Sequence, residues 1–216
     1  MLPKKVIVKV VDIATGGLVS LTKAIVISGF ESNINEKIED FYKKLLDNQI
    51  TIDEIEKYIE DMTSFQKDIF YTIIQKVLIS ETPLKRFLLV KIWLYQMKNE
   101  KLDYFHSTLF NNIDLFIFHD YEMIYDILQN QDQAIIQENQ LIIKESKSAI
   151  NDFQFTISKL ESIGLIDDTS KYIHDIVNKT KEANKYYPTH RDAIYQITPS
   201  FKILNEYINS FFGGNA

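Results

Sequence analysis

The chain has 216 residues, 45% of them hydrophobic, and that apolar fraction excludes wholesale disorder. A formal net charge of −6 excludes coating of nucleic acid through bulk charge, so any such contact needs a local basic patch. The absence of Cys excludes disulfides, thiolate catalysis and Cys-based zinc sites and makes a cytoplasmic location the expectation, while only six Gly and four Pro argue against a turn-rich β-sandwich and for helices joined by short loops.

Residues 1–32 form an apolar N-terminal segment. Val6, Val8 and Val10 alternate like a strand until Gly16-Gly17 breaks the pattern, and Leu18, Leu21, Ile25, Ile27 and Phe30 could line a short helix. Lys9, Asp12 and Lys23 interrupt the run, so no uncharged stretch approaches the roughly 18–20 residues that span a bilayer. No small-residue cleavage site follows, and no signal peptide is expected. Residues 5–30 either pack on the helices that follow or lie on a membrane surface.

From Asn33 the helical period is clear, with Ile34, Ile38, Phe41 and Leu45 on one stripe. Thr51 to Glu54, "TIDE", is a capping box opening a short helix through Met62. In "SFQKDIFYTIIQKVLIS" the residues Phe65, Ile69, Ile73 and Val77 share a face. The next helix has Thr82 as N-cap and Pro83 in its first turn. Leu84, Phe87, Leu88, Leu89, Val90, Ile92, Trp93 and Leu94 make it apolar nearly all round, the mark of a central, buried helix. Leu102–Ile117 and Asp120–Leu128 read as two more helices, and "QNQDQAIIQENQ" as a loop or irregular turn.

Ser148 to Ile163 reads as a helix with Ile150, Phe153, Ile157, Leu160 and Ile163 inward, stopped by Gly164. Leu165-Ile166 starts a strand, "AIYQIT" alternates like another, and "PSFKILNEYI" closes the chain with Pro199 in its first turn and Ile203, Leu204 and Tyr207 apolar. Helix, "LESIGLI", loop, "YQIT" and "PSFKILNEYI" resemble the second half of a winged-helix domain, in which a recognition helix ends in Leu-x-x-x-Gly-Leu-Ile and a two-stranded wing returns as aromatic-x-Leu/Ile-Thr before a last helix. About 28 residues separate Ile166 from Ile194, more than a hairpin wing needs, so an inserted helix is expected near 170–184. More faintly, the apolar Gly-containing start, the "EKIEDFYKKLL" helix and "KRFLLVKIWLYQMKNEKLDYF" resemble uncharacterised bacterial proteins grouped with abortive-infection, or phage-defence, proteins of the alpha type. That resemblance brings no catalytic motif.

The expected fold is therefore mainly α: a helical domain over residues 1–130, then a winged-helix-like domain with a short β-hairpin over 131–216. A winged helix implies DNA or RNA contact through its third helix. Lys147, Asn151, Gln154 and Lys159 are the candidates there, opposed by Asp152 and Glu161 and lacking the Arg that most often reads guanine. A second basic patch holds Lys179, Lys181, Lys185 and Arg191 with Tyr187 interleaved. Against it, Gln131–Ala216 carries nine Lys/Arg and eleven Asp/Glu, net −2. No two His stand at metal-pair spacing, Gly16-Gly17 lacks the Lys-Ser/Thr of a phosphate loop, and no nucleophile elbow occurs, so neither metal, cofactor nor catalytic residue is expected. The sequence thus points to a non-enzymatic interaction protein: a nucleic-acid-binding regulator or phage-defence component, a protein-binding scaffold or homodimer rich in Phe and Tyr, or a membrane-surface effector acting through residues 5–30.

Overall fold

A computed structural model describes residues 31–144, 149–168 and 193–214. Those residues are mainly helical, with a small antiparallel sheet near the C-terminus. The chain divides into two compact units, 1–110 and 111–216. The apolar segment 5–30 and the helix expected near 170–184 lie outside the described residues.

In the first unit, α1 (Glu31–Asp47), α2 (Ile52–Asp61), α3 (Ser64–Ile79) and α4 (Pro83–Asn99) precede α5 (Tyr104–Asn112). The helix starts follow the chemistry legible in the sequence. Thr51 and Glu54 form the expected capping box, Thr63 and Gln66 form a second, and Thr82 caps α4 ahead of Pro83. α4 is the central helix, and its Trp93 is the hub of the core. Phe41 of α1 lies 5.7 Å from that indole, Tyr58 of α2 6.1 Å and Phe70 of α3 4.7 Å, ring centre to ring centre. Aromatic contacts of this kind add to the apolar burial itself. Polar links fix the helices around the hub: the Lys37 ammonium donates to the Leu78 carbonyl at the end of α3, and Arg86 of α4 pairs with Asp40 of α1. The buried face of α3 is rotated from the one expected. Phe65 is 56% exposed, whereas Phe70 and Ile74 are fully buried beside Ile73 and Val77.

The second unit begins with a 3-10 turn (Ile113–Leu115) and α6 (Phe118–Gln129). β1 (Ala134–Gln137), β2 (Gln140–Ile143), α7 (Ala149–Ser162), β3 (Ile166–Asp168), β4 (Ala193–Ile197) and α8 (Pro199–Gly213) follow. The strands form one sheet in the order β1-β2-β4-β3 with every pairing antiparallel. Gly164 stops α7 with φ +70°, and β3 pairs with β4 through Ile166 opposite Ile197 and Asp168 opposite Tyr195. Thr198 caps α8 and also donates its hydroxyl to the Leu165 carbonyl at 2.9 Å, tying the two strands to the last helix.

Three sequence expectations change here. The stretch read as a loop, "QNQDQAIIQENQ", contains β1 and the start of β2, a hairpin held because Ala134, Leu141, Ile142 and Ile143 are buried. The unit boundary falls at Phe110–Asn111, not near 130, because α6 packs on α7, α8 and β1. In α8 the buried positions are Phe201, Leu204 and Ile208, with Ile203 and Tyr207 only part-buried.

Candidate interaction surface of the second unit

α7 is amphipathic, and its inner stripe of Phe153, Thr156, Ile157 and Leu160 is buried. Thr156 faces Asp120, the third residue of α6, which is only 4% exposed. The Asp120 carboxylate accepts from three donors: the Thr156 hydroxyl at 2.8 Å, the Lys159 ammonium at 2.5 Å and the Ile117 amide at 2.8 Å. The last of these is half of a capping box, in which the third helical residue reaches back to the N-cap amide. The sequence pairs His119 with Asp120 as a helix start. The structure gives the capping to Asp120 and leaves His119 exposed, 3.7 Å from Glu122. A buried carboxylate needs such partners, because an unpaired charge there is strongly disfavoured.

Of the nine residues expected to touch nucleic acid, Asn151, Gln154 and Lys159 fall among the described residues. Lys159 holds Asp120, so its charge is neutralised inside the unit. Gln154 is exposed, and Asn151 lies near the start of α7. Lys147, Lys179, Lys181, Lys185, Tyr187 and Arg191 lie outside the described residues. The other described lysines of the unit are also engaged internally. Lys144 donates to the Gln131 carbonyl at 2.6 Å and Lys202 to the Asn139 side chain at 2.7 Å. Over the whole unit, residues 111–216, fifteen Asp/Glu stand against nine Lys/Arg, a net charge of −6. At the end of α7, burial and then the carboxylates of Asp168 and Asp167 push the Glu161 carboxyl above its usual range. Burial, with Glu161 and Asp168, does the same to the Tyr195 phenol.

The sequence reasoning did not single out Phe155. It stands on α7 between buried Phe153 and Thr156, yet is 76% exposed. One helical turn on, Lys159 shares its ridge, and the Ile117 amide lies beyond that lysine on Asp120. Ile117 is itself 58% exposed. Two large exposed apolar residues thus adjoin this network along the chain, Phe155 one turn before Lys159 and Ile117 at the start of α6. The signal was available in the sequence as a Phe off the apolar stripe. An aromatic off-stripe looks the same whether solvent or a neighbouring element meets it.

The first unit contains a different polar cluster. His106, buried, stacks on Tyr95 with ring centres 3.7 Å apart, and its Nδ1 lies 2.7 Å from Asp103 Oδ1. Asp103 also accepts the His106 amide at 2.8 Å. Burial holds the His106 pKa below the ordinary value despite Asp103. Around Trp93, the indole N–H, the Tyr58 hydroxyl and both ends of the Gln96 amide are buried without a hydrogen-bond partner among the described residues.

Among the described residues no three His, Asp or Glu side chains are grouped to hold a metal ion, and no helix is long and apolar enough to cross a membrane. No protein-family model, curated protein or solved structure matches the chain.

Proposed function

We propose that the chain is a non-enzymatic interaction protein whose second unit binds a protein partner through the outer face of α7. The observation that carries this is Phe155, a large aromatic held three-quarters exposed in the middle of a packed helix. Exposed aromatics in such settings are the residues that anchor protein interfaces. Ile117 beside the Lys159–Asp120 pair extends the apolar surface, and the pair itself holds the two helices in register. The net charge of −6 on residues 111–216 supports a protein partner over a nucleic acid, whose binding typically rests on several free cationic contacts. The chain topology agrees: α7 packs on α6, and the β1–β2 hairpin intervenes between those two helices where a helix-turn-helix has a short turn.

A photo-crosslinking residue at position 155, expressed in the native cells, tests the proposal. The expected result is one discrete protein adduct that is absent when the crosslinker sits at exposed Glu206. Equal adducts from both positions overturn it. So does tight binding of the purified chain to duplex or single-stranded nucleic acid with a steep salt dependence that is abolished when Lys179, Lys181 and Lys185 become Ala, which would restore the nucleic-acid function the sequence suggested.

A further inference from the structure

The two edges of the sheet are built differently. β3 forms one edge, and two of its three residues are exposed aspartates, Asp167 and Asp168. Inserted charge is how proteins keep an edge strand from pairing with another chain. β1 forms the other edge, and its sequence, Ala134-Ile135-Ile136-Gln137, has no charge and no Pro. Its backbone parity is fixed by the ladder. Gln137 pairs with Gln140 across a two-residue turn, and the Lys144 amide donates to the Gln133 carbonyl at 2.8 Å. Bonded pairs alternate along an antiparallel ladder, so Gln133, Ile135 and Gln137 face β2 while Ala134 and Ile136 turn their N–H and C=O groups outward. The Ala134 amide is taken by the Asn130 carbonyl at 3.0 Å. The Ile136 amide and carbonyl meet no protein partner among the described residues, and the Ile136 side chain is 38% exposed.

The strand is also fastened at both ends. At the turn, the Asn139 carbonyl accepts from the Ile197 amide at 2.8 Å and the Asn139 side chain accepts from Lys202. At the start, Lys144 closes on Gln131 and Gln133, beside a shallow open depression lined by Asp126, Gln129, Asn130, Gln131 and Asp132. A rigid edge loses little freedom when a further strand joins it.

We propose that β1 is a strand-addition site that takes an extended segment of a protein partner, with β-branched residues at its centre and basic residues at its ends. The Ala134 carbonyl and the Ile136 amide and carbonyl supply the pairing, and Asp126, Asp132 and the net charge of −6 on residues 111–216 select a cationic segment. The same charge works against a second copy of this chain on the edge. The site is separate from α7 and does not depend on it.

The test uses the full-length isotope-labelled chain and the synthetic peptide acetyl-KVTVTVK-amide, with acetyl-EVTVTVE-amide as control. The lysine peptide is expected to slow amide exchange at Ile136 roughly tenfold and leave Ile135 and Gln137, already in the ladder, unchanged. It should bind roughly tenfold more tightly than the glutamate peptide at low salt. Ile136→Pro removes only the outward amide, which an edge strand tolerates, and should weaken the peptide roughly tenfold or more. Ile136→Lys keeps the amide and should narrow the preference between the two peptides. Protection that ignores this alternation, affinity unchanged in both variants, or no binding up to about 1 mM peptide overturns the proposal. So does concentration-dependent protection of Ile136 without peptide, which would place a second copy on the edge.

Discussion

The Lys159 ammonium sits 2.5 Å from the Asp120 carboxylate, joining α7 to the first turn of α6. A cation on a helix that sequence resemblance marks for nucleic acid is thus part of the fold. Replacing Asp120 by Ala strands Lys159, the Thr156 hydroxyl and the Ile117 amide, and should cost about 3–5 kcal/mol of stability, the range for breaking a buried pair from one side. Lys159→Met should cost less, about 1–2 kcal/mol, because the lysine is the more exposed partner and Asp120 keeps two neutral donors. Urea unfolding followed by circular dichroism measures both. A Lys159→Met chain with unchanged stability would return that side chain to the list of contacts available to a ligand.

The core around Trp93 predicts a change of the opposite sign. Gln96 is fully buried and neither end of its amide has a partner among the described residues. An unsatisfied buried polar group costs about 1–3 kcal/mol, and replacing it by an apolar group of similar volume removes that penalty. Gln96→Leu or Gln96→Met should therefore stabilise the first unit by about 1 kcal/mol, read as a higher urea midpoint at constant slope. Destabilisation would mean that ordered water satisfies the amide in solution.

How much was legible in advance depended on whether the signal was local. Thr51, Thr82, Pro83, Gly164 and Pro199 mark element ends through their own backbone chemistry, and each does so in the fold. The two strands around Ile166 and Ala193–Ile197 were legible too, since both short apolar runs stand out from their polar flanks, although their register was not. β1 and β2 were not, because the turn between them is Glu138-Asn139 with no Gly and the run around it is Gln-rich. The mate of Lys159 was equally hidden: Asp120 lies 39 residues away, and no spacing rule joins them. Phe155 and the β1 edge are surface properties, and whether solvent or a neighbour meets them is decided only by tertiary packing.

Stability of the first unit should fall on the acid side of neutrality through His106. Burial lowers its folded pKa from 6.5, and Asp103 opposes the shift without cancelling it. The unfolded chain then binds a proton before the folded one does, so stability is complete above about 6.5 and is lost as pH falls from there through the lower folded pKa. Asp103 adds a second loss at lower pH. Burial raises its pKa, but hydrogen bonds from His106 and Tyr95 outweigh that and hold it below the usual carboxylate range. A melting series between pH 7 and pH 5 should show a progressive drop in Tm that becomes shallower in His106→Phe, which removes the buried titrating ring. An identical pH slope in that variant would assign the loss to other groups.

The hairpin turn stores strain that one substitution should release. Glu138, the first of its two turn residues, has φ +57°, a region where a Cβ is crowded by the neighbouring carbonyl and which Gly enters freely. Positive φ at the first turn position and not at the second, Asn139, is the mark of a type II′ turn, whose preferred first residue is Gly. Glu138→Gly should stabilise the second unit by about 0.5–1 kcal/mol, the relief of strain exceeding the extra freedom that Gly gives the unfolded chain. Glu138→Asn should give a smaller gain, since Asn enters this region more readily than Glu but keeps a Cβ. Because Ile135 and Gln137 face β2 next to this turn, a tighter turn should also slow their amide exchange while leaving the Ile136 amide fast in the absence of a partner strand. Exchange at all three amides slowing together would show that the outward group of Ile136 is already bonded, and would weigh against β1 as an open edge.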